Sequence, residues 1–231
     1  MNPASQLALG FPYRPSLSGE NFLVAANNSD AVTWLDRWPD WPAPALAIWG
    51  PRGCGKTHLA EVFLARSGAR RLEPSDLAEA DPRDLLRNVP ACVLDDAPRF
   101  LGGDGEQRLL HLYNTVAETS RRMLLNAEQP PAHWSIGLAD LRSRLNAAAV
   151  IGIGAPDDML IRAVLVKQFA DRQLAVDDDG LDYMLARMER TFDAARRLVA
   201  AIDDAALRAK RRVTVPLIRD VLAGEDIADA H

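Results

Sequence analysis

Eight consecutive residues, Gly50-Pro51-Arg52-Gly53-Cys54-Gly55-Lys56-Thr57, fit the pattern G-x-x-x-x-G-K-[ST] and are the stretch best suited to chemistry. Glycines at this spacing let the backbone turn its N–H groups inward, where they cradle phosphate oxygens. The apolar run 45–49 before the loop predicts a strand. Residues 56–66 after it predict a helix that opens with its positive dipole end at the phosphates. In that setting Lys56 reaches the β and γ phosphates of a nucleotide and the Thr57 hydroxyl takes one position on a magnesium ion. His58, next in the helix, is counted with the binding stretch. Cys54 stands where the backbone does the binding, so its side chain is expected to be neutral. The plain alternative is a glycine-rich turn that binds nothing.

A second chemical stretch is Ala91-Cys92-Val93-Leu94-Asp95-Asp96. Four apolar residues suit a strand buried on both faces, and two carboxylates sit where it emerges. Beside a phosphate loop, Asp95 orders the magnesium and Asp96 orients an attacking water; otherwise such carboxylates cap the following turn. Residues 122–127 read as another buried strand carrying Asn126 near its end, and a short helix over 138–145 holds Arg142 and Arg144. His58, His111, His133 and His231 are scattered, and no Cys/His spacing suggests zinc. No nucleophile elbow is present.

The elements that must position these residues follow from the periodicity. Strand-like runs at 45–49, 69–72 (weak), 91–94, 122–127 and 147–153 alternate with helical ones, the pattern of a parallel sheet covered on both faces. Ser29 is expected to cap a helix before the first strand, and Ser75 one that Pro82 divides. Residues 106–119 carry Leu109, Leu110, Leu112, Tyr113 and Val116 at helical spacing. Beyond Pro156 only helices are expected, over 157–173, 178–188, 191–209 and 216–222. Asp157, Asp178 and Thr214 stand near three of the starts. The expected organisation is a tail at 1–20, an α/β nucleotide-binding domain at 21–155 and a small all-helical domain at 156–231. In the tail, Gln6-Leu7-Ala8-Leu9-Gly10-Phe11 alternates apolar residues. An extended segment of that kind either anchors Leu7, Leu9 and Phe11 in a partner's groove or packs as a strand on its own domain.

Composition narrows the class further. With 27 basic against 32 acidic residues the net charge is −5, which argues against a chain coated with a nucleic-acid-binding field. No apolar run approaches the ~20 residues of a membrane helix, and the start has no signal-peptide pattern. Two cysteines, Cys54 and Cys92, suggest a reducing compartment without a disulfide framework, so a cytoplasmic location is expected.

The combination of phosphate loop, double acid, polar residue after the next strand, arginine-bearing helix and helical lid resembles the AAA+ ATPases. Finer segments resemble the DnaA family, and within it the shorter Hda group. Phe22-Leu23-Val24-Ala25-Ala26-Asn27-Asn28 is similar to the F-V-x-G-x-x-N segment beside the adenine, with Ala25 in place of glycine. Leu125-Asn126-Ala127-Glu128-Gln129-Pro130-Pro131 resembles the sensor-one strand and its proline turn. Leu141-Arg142-Ser143-Arg144-Leu145 resembles the segment whose last arginine is the arginine finger.

The resemblance covers about residues 20–222. It implies ATP or ADP with Mg2+, held by the loop together with Leu23 and Asn28, and catalytic roles for Asp95, Asp96, Asn126 and Arg144. It also implies docking on the DNA polymerase sliding clamp through Gln6, Leu7, Leu9 and Phe11. The implied activity is promotion of ATP hydrolysis on DnaA, with DNA reached only through the clamp and self-association left open. The chain ends at the lid, with no DNA-reading helix-turn-helix expected after it. The lid's second sensor departs from the pattern: Phe192 and Asp193 occupy the usual positions, leaving Arg190 as the candidate and the chain's own hydrolysis in question. Two other readings stand beside this one. The first is a stand-alone ATPase that loads or remodels its own substrate. The second is a DNA-binding module based on Arg208, Lys210, Arg211 and Arg212, a cluster that otherwise favours a helix C-terminus.

Overall fold

The computed structural model describes residues 24–209 and 211–228. Two compact units meet in sequence at Gly154 and Ala155. The first is built on a five-stranded parallel sheet in the order β2-β3-β4-β1-β5. Its strands are β1 (Ala45–Trp49), β2 (Arg70–Arg71), β3 (Ala91–Leu94), β4 (Arg122–Ala127) and β5 (Ala149–Gly152). Around the sheet lie α1 (Ser29–Asp36), α2 (Lys56–Ser67), α3 (Pro74–Glu79), α4 (Pro82–Leu85), α5 (Gly105–Glu118) and α6 (Ala139–Asn146). Short 3₁₀ turns occupy Ala97–Leu101 and Pro131–His133.

β1 and β3 are apolar along their whole length, and β4 from Met123 to Leu125, as suits strands covered on both faces. On β4, Met123 and Leu125 join one core with Leu109, Leu112 and Val116 of α5 and Leu141 and Leu145 of α6. Leu124 points the other way, into a second core with Val32 and Leu35 of α1 and Leu59 and Phe63 of α2. Trp41 stacks on Phe63 within that second core, ring centroids 5.5 Å apart.

The second unit is helical: α7 (Asp158–Asp171), α8 (Asp178–Leu185), α9 (Phe192–Ala209) and α10 (Val215–Ala228). Its own core includes Ile161, Leu165, Phe169, Leu181, Met184, Leu198 and Ile202. Helix starts are set by side-chain caps. Asp157 accepts from the Leu160 amide at 2.8 Å and Thr191 Oγ1 from the Ala194 amide at 3.0 Å.

α8 starts at Asp178, as expected, with Asp177 as its cap. Other starts differ from the expected ones. α1 is preceded by Asn28, and Ser29 is its first residue. α3 begins at Pro74, whose missing N–H costs nothing in a first turn, so Ser75 lies inside the helix. The Asp76 carboxylate accepts from the Glu73 amide at 2.7 Å there. α10 continues past 222 to Ala228. Among the described residues no helix is long and apolar enough to cross a membrane.

Because β4 is buried on both faces, Leu124→Ala and Leu125→Ala should each cost about 2–5 kcal/mol. Urea unfolding followed by circular dichroism measures both. A strand with one solvated face would lose that amount at only one of the two positions.

Candidate functional site

The carboxyl ends of parallel strands are where open α/β sheets hold ligands, and here those ends collect the chemistry. The loop after β1 begins at Gly50, where a Cβ would lie 2.3 Å from the Ile153 carbonyl oxygen, so only glycine fits. Gly53 and Gly55 take φ of 68° and 100°, conformations glycine adopts without a steric cost. α2 then starts at Lys56, whose Nζ curls back to donate to the Gly50 and Pro51 carbonyls, both at 2.8 Å. Cys54 is a packing residue rather than a neutral one. It is buried among the α1 and α2 core side chains, its Sγ lies 3.8 Å from Lys56 Nζ, and burial pushes its thiol pKa up. Thr57 and His58 are exposed on the first turn of α2.

Register brings the acids and Asn126 to the same level. Leu94 pairs with Leu125 and Ile48 with Asn126, so Asp95 stands beside Asn126 with the loop on its other side. Asn126 is 1% exposed. Its Nδ2 donates to Asp95 Oδ1 at 3.2 Å and to the Lys56 carbonyl at 3.1 Å, while its buried Oδ1 has no partner among the described residues. Asp96 is exposed and adopts φ 56° and ψ 59°, an uncommon left-handed conformation that turns the chain sharply after the first acid. An ion pair frames this edge. Glu128, just past β4, accepts from Arg52 Nε of the loop. That hydrogen bond, and the charge behind it, push the exposed Arg52 guanidinium further up from its ordinary value.

On the other side, residues 24–28 reach the same edge. Asn28 is buried and its Oδ1 accepts from the Ala25 amide at 2.9 Å. Asn27 exchanges hydrogen bonds with Gly154 in both directions at 3.2 Å, and its own buried Oδ1 has no partner. Ile153 in turn donates to the Trp49 carbonyl at 2.7 Å. The segment is thereby held beside the loop. Leu23, and the tail residues Gln6, Leu7, Leu9 and Phe11, lie outside the described residues.

Arg144 projects from α6. Its guanidinium contacts both carboxylate oxygens of Asp140, at 3.1 and 3.4 Å, and stands 5.9 Å from the centre of the Tyr113 ring. α6 itself is anchored by Glu106 of α5, whose oxygens accept from the Gly137 and Leu138 amides at 2.9 and 2.6 Å. Those two amides hold the Glu106 carboxyl below its ordinary value of 4.5. Arg190 belongs to the helical unit, where it pairs with Asp158 at 2.8 Å. Among the described residues no group of three or more His, Cys, Asp or Glu could by itself hold a metal ion.

Loop and parallel sheet together define a P-loop fold. Domain III of the replication initiation protein DnaA from Thermotoga maritima superposes with a TM-score of 0.75 at 16% identity, over 92% of this chain and 98% of that one. An AMPPCP-bound DnaA from Aquifex aeolicus gives 0.66 at 19% identity, over 82% and 65%. In sequence, residues 157–222 match the family model for the Hda lid domain. An uncharacterized protein of Haemophilus influenzae is 26% identical over 192 residues, 79% of this chain and 83% of that protein. Residues 157–222 thus resemble the Hda lid, and the chain shares the fold of the DnaA structures.

The Glu106 anchor generates a pH prediction. Its folded-state pKa lies below the ordinary 4.5, so its stabilisation is complete above that value and is lost as pH falls through the folded pKa. The melting-temperature gap between wild type and Glu106→Gln should therefore be widest near neutrality and shrink as pH falls from 4.5 through the folded pKa. A gap that stays constant with pH would show that the carboxylate charge plays no part.

Proposed function

We propose that this protein binds ATP or ADP at the carboxyl edge of its sheet and acts in replication initiation by promoting hydrolysis of DnaA-bound ATP. The observation that carries the nucleotide reading is the Asn126 bridge. One buried amide joins the start of the phosphate-loop helix to Asp95 and leaves an acceptor without a partner among the described residues. Two of the DnaA structures that share this fold are AMPPCP-bound, which supports an adenine nucleotide here.

Thr57 and Asp95 are the proposed magnesium residues. Magnesium commonly takes one or two protein oxygens together with substrate phosphates and water, so a dedicated all-protein cage is not needed. The ion would neutralise phosphate charge. Lys56 would exchange its two loop carbonyls for phosphate oxygens, Asp96 and Asn126 would orient a water, and residues 23–28 would flank the base. Arg190 is proposed as the lid's contact to the nucleotide. Its pairing with Asp158 fits weak hydrolysis by the chain itself.

In this reading Arg144 is supplied in trans, to the nucleotide on DnaA, where an arginine stabilises charge on the transferring phosphoryl group. Gln6, Leu7, Leu9 and Phe11 dock the protein on the sliding clamp, which brings it to DNA and sets its place in the cytoplasm. The Hda lid match supports this regulator over a self-contained loader.

Lys56→Ala should weaken binding of fluorescent ADP at least about tenfold while leaving the circular dichroism spectrum unchanged. Undiminished binding would remove the nucleotide reading. For the regulator, hydrolysis of ATP preloaded on DnaA is measured with DNA-loaded clamp. Wild type should accelerate it, and Arg144→Ala should lose on the order of 10³ of that acceleration. The variant carrying Leu7→Ala, Leu9→Ala and Phe11→Ala should lose it only where the clamp is required. No acceleration by wild type would overturn the assignment.

A further inference from the structure

The first turn of any helix leaves four amides without intrahelical partners. α6 enters at Leu138, whose side chain cannot accept a hydrogen bond, and no residue of its own caps it. Just ahead of that turn, at the chain's entry to α6, another helix supplies an acceptor. Glu106, in the first turn of α5, gives one oxygen to the Gly137 amide and the other to the Leu138 amide. Both oxygens are used, each for a different donor, and an ionised acceptor makes the stronger kind of hydrogen bond.

The second contact between the same helices falls seven residues further along α5. Glu106 and Tyr113 are two turns apart and so share a face. Tyr113 lies under the Arg144 guanidinium. From Glu106 to Tyr113 the helix rises about 10 Å and from Leu138 to Arg144 about 9 Å, so the two contacts have matched spacing. Leu109 on α5 and Leu141 on α6 are fully buried in the same core between them. α6 is therefore held at its entry by a carboxylate and near its end by a ring, with packed leucines in the interval.

We propose that Glu106 is a positioning residue for Arg144: by fixing where α6 begins, it sets where the arginine stands. The functional half of this inference rests on the reading in which Arg144 acts on another subunit's nucleotide.

The full chain is compared as wild type, Glu106→Gln, Glu106→Ala, Arg144→Ala and Leu181→Ala, the last a destabilising control in the helical core. Two readouts are taken: acceleration of DnaA-bound ATP hydrolysis, and the NMR signal of Arg144 Nε–H, which senses Tyr113 and Asp140. Glu106→Ala should lose between tenfold and a hundredfold of the acceleration, the order expected for a misplaced catalytic group. Its Arg144 signal should move toward the free-arginine position while fluorescent ADP still binds. Glu106→Gln, with one acceptor oxygen in place of two, should fall between it and wild type. Leu181→Ala should keep both the acceleration and the signal at temperatures where it is folded. An unmoved Arg144 signal in Glu106→Ala overturns the proposal. So does a loss of acceleration matched by an equally destabilised Leu181→Ala. If Arg144→Ala accelerates like wild type, the trans reading fails, and the Arg144 signal alone then decides whether Glu106 positions the side chain.

Discussion

One buried amide ties the chemical edge of this protein together. Asn126 sits in the middle of the sheet order, between the strand that ends in the acids and the strand that feeds the phosphate loop. Its Nδ2 serves both neighbours at once. A buried polar group of this kind is tolerated only if its hydrogen bonds are met, since each unmet one costs about 1–3 kcal/mol. Two donors are met and the acceptor is not. The fold thus leaves an unmet acceptor at the point where a donor such as a water O–H would satisfy it, and the surrounding core must keep the residue in place meanwhile. Met123, Leu124 and Leu125, all fully buried on alternating faces, do that.

The same economy explains the loop. Lys56 satisfies itself on the Gly50 and Pro51 carbonyls, so its charge is compensated without a ligand, yet those partners are neutral and phosphate oxygens are not. Charge-assisted bonds are roughly twice as strong as neutral ones, which favours the exchange. Arg52 does the opposite. It is exposed and already paired with Glu128, which ties the loop's outer turn to the end of β4. An exposed pair of this sort is worth at most about 1 kcal/mol, so it orders the loop without locking it.

Much of this was legible in the sequence because the signals were local. The strand–loop–helix around 45–67, the double acid after an apolar run and the strand over Arg122–Ala127 each occupy a handful of consecutive residues. What escaped was of two kinds. Within Asp177-Asp178-Asp179 all three residues are good caps, and only the helix's phase in three dimensions selects Asp177. Similarly, Ser75 yielded the start of α3 to Pro74, whose ring suits the first turn. The other kind was contact over distance. Arg52 meets Glu128 and Glu106 meets Gly137 across 76 and 31 positions, where no periodicity announces a partner. Cys54 belongs here too, since it is buried in a core that residues of α1 and α2 share.

The Arg144–Asp140 pair shows how an ordinary surface interaction and a proposed catalytic one can coexist. At four residues' spacing on a helix, such a pair contributes about 0.3–0.5 kcal/mol. An arginine finger's effect of on the order of 10³ in rate corresponds to about 4 kcal/mol. Releasing Asp140 therefore subtracts only about a tenth of what the arginine can supply at a transferring phosphoryl group. Until then Asp140 and the face of Tyr113 keep the side chain extended in one place, which reduces the rotamer freedom it must give up on docking. The Asp140 pairing is, energetically, a holster: strong enough to orient Arg144, too weak to hold it.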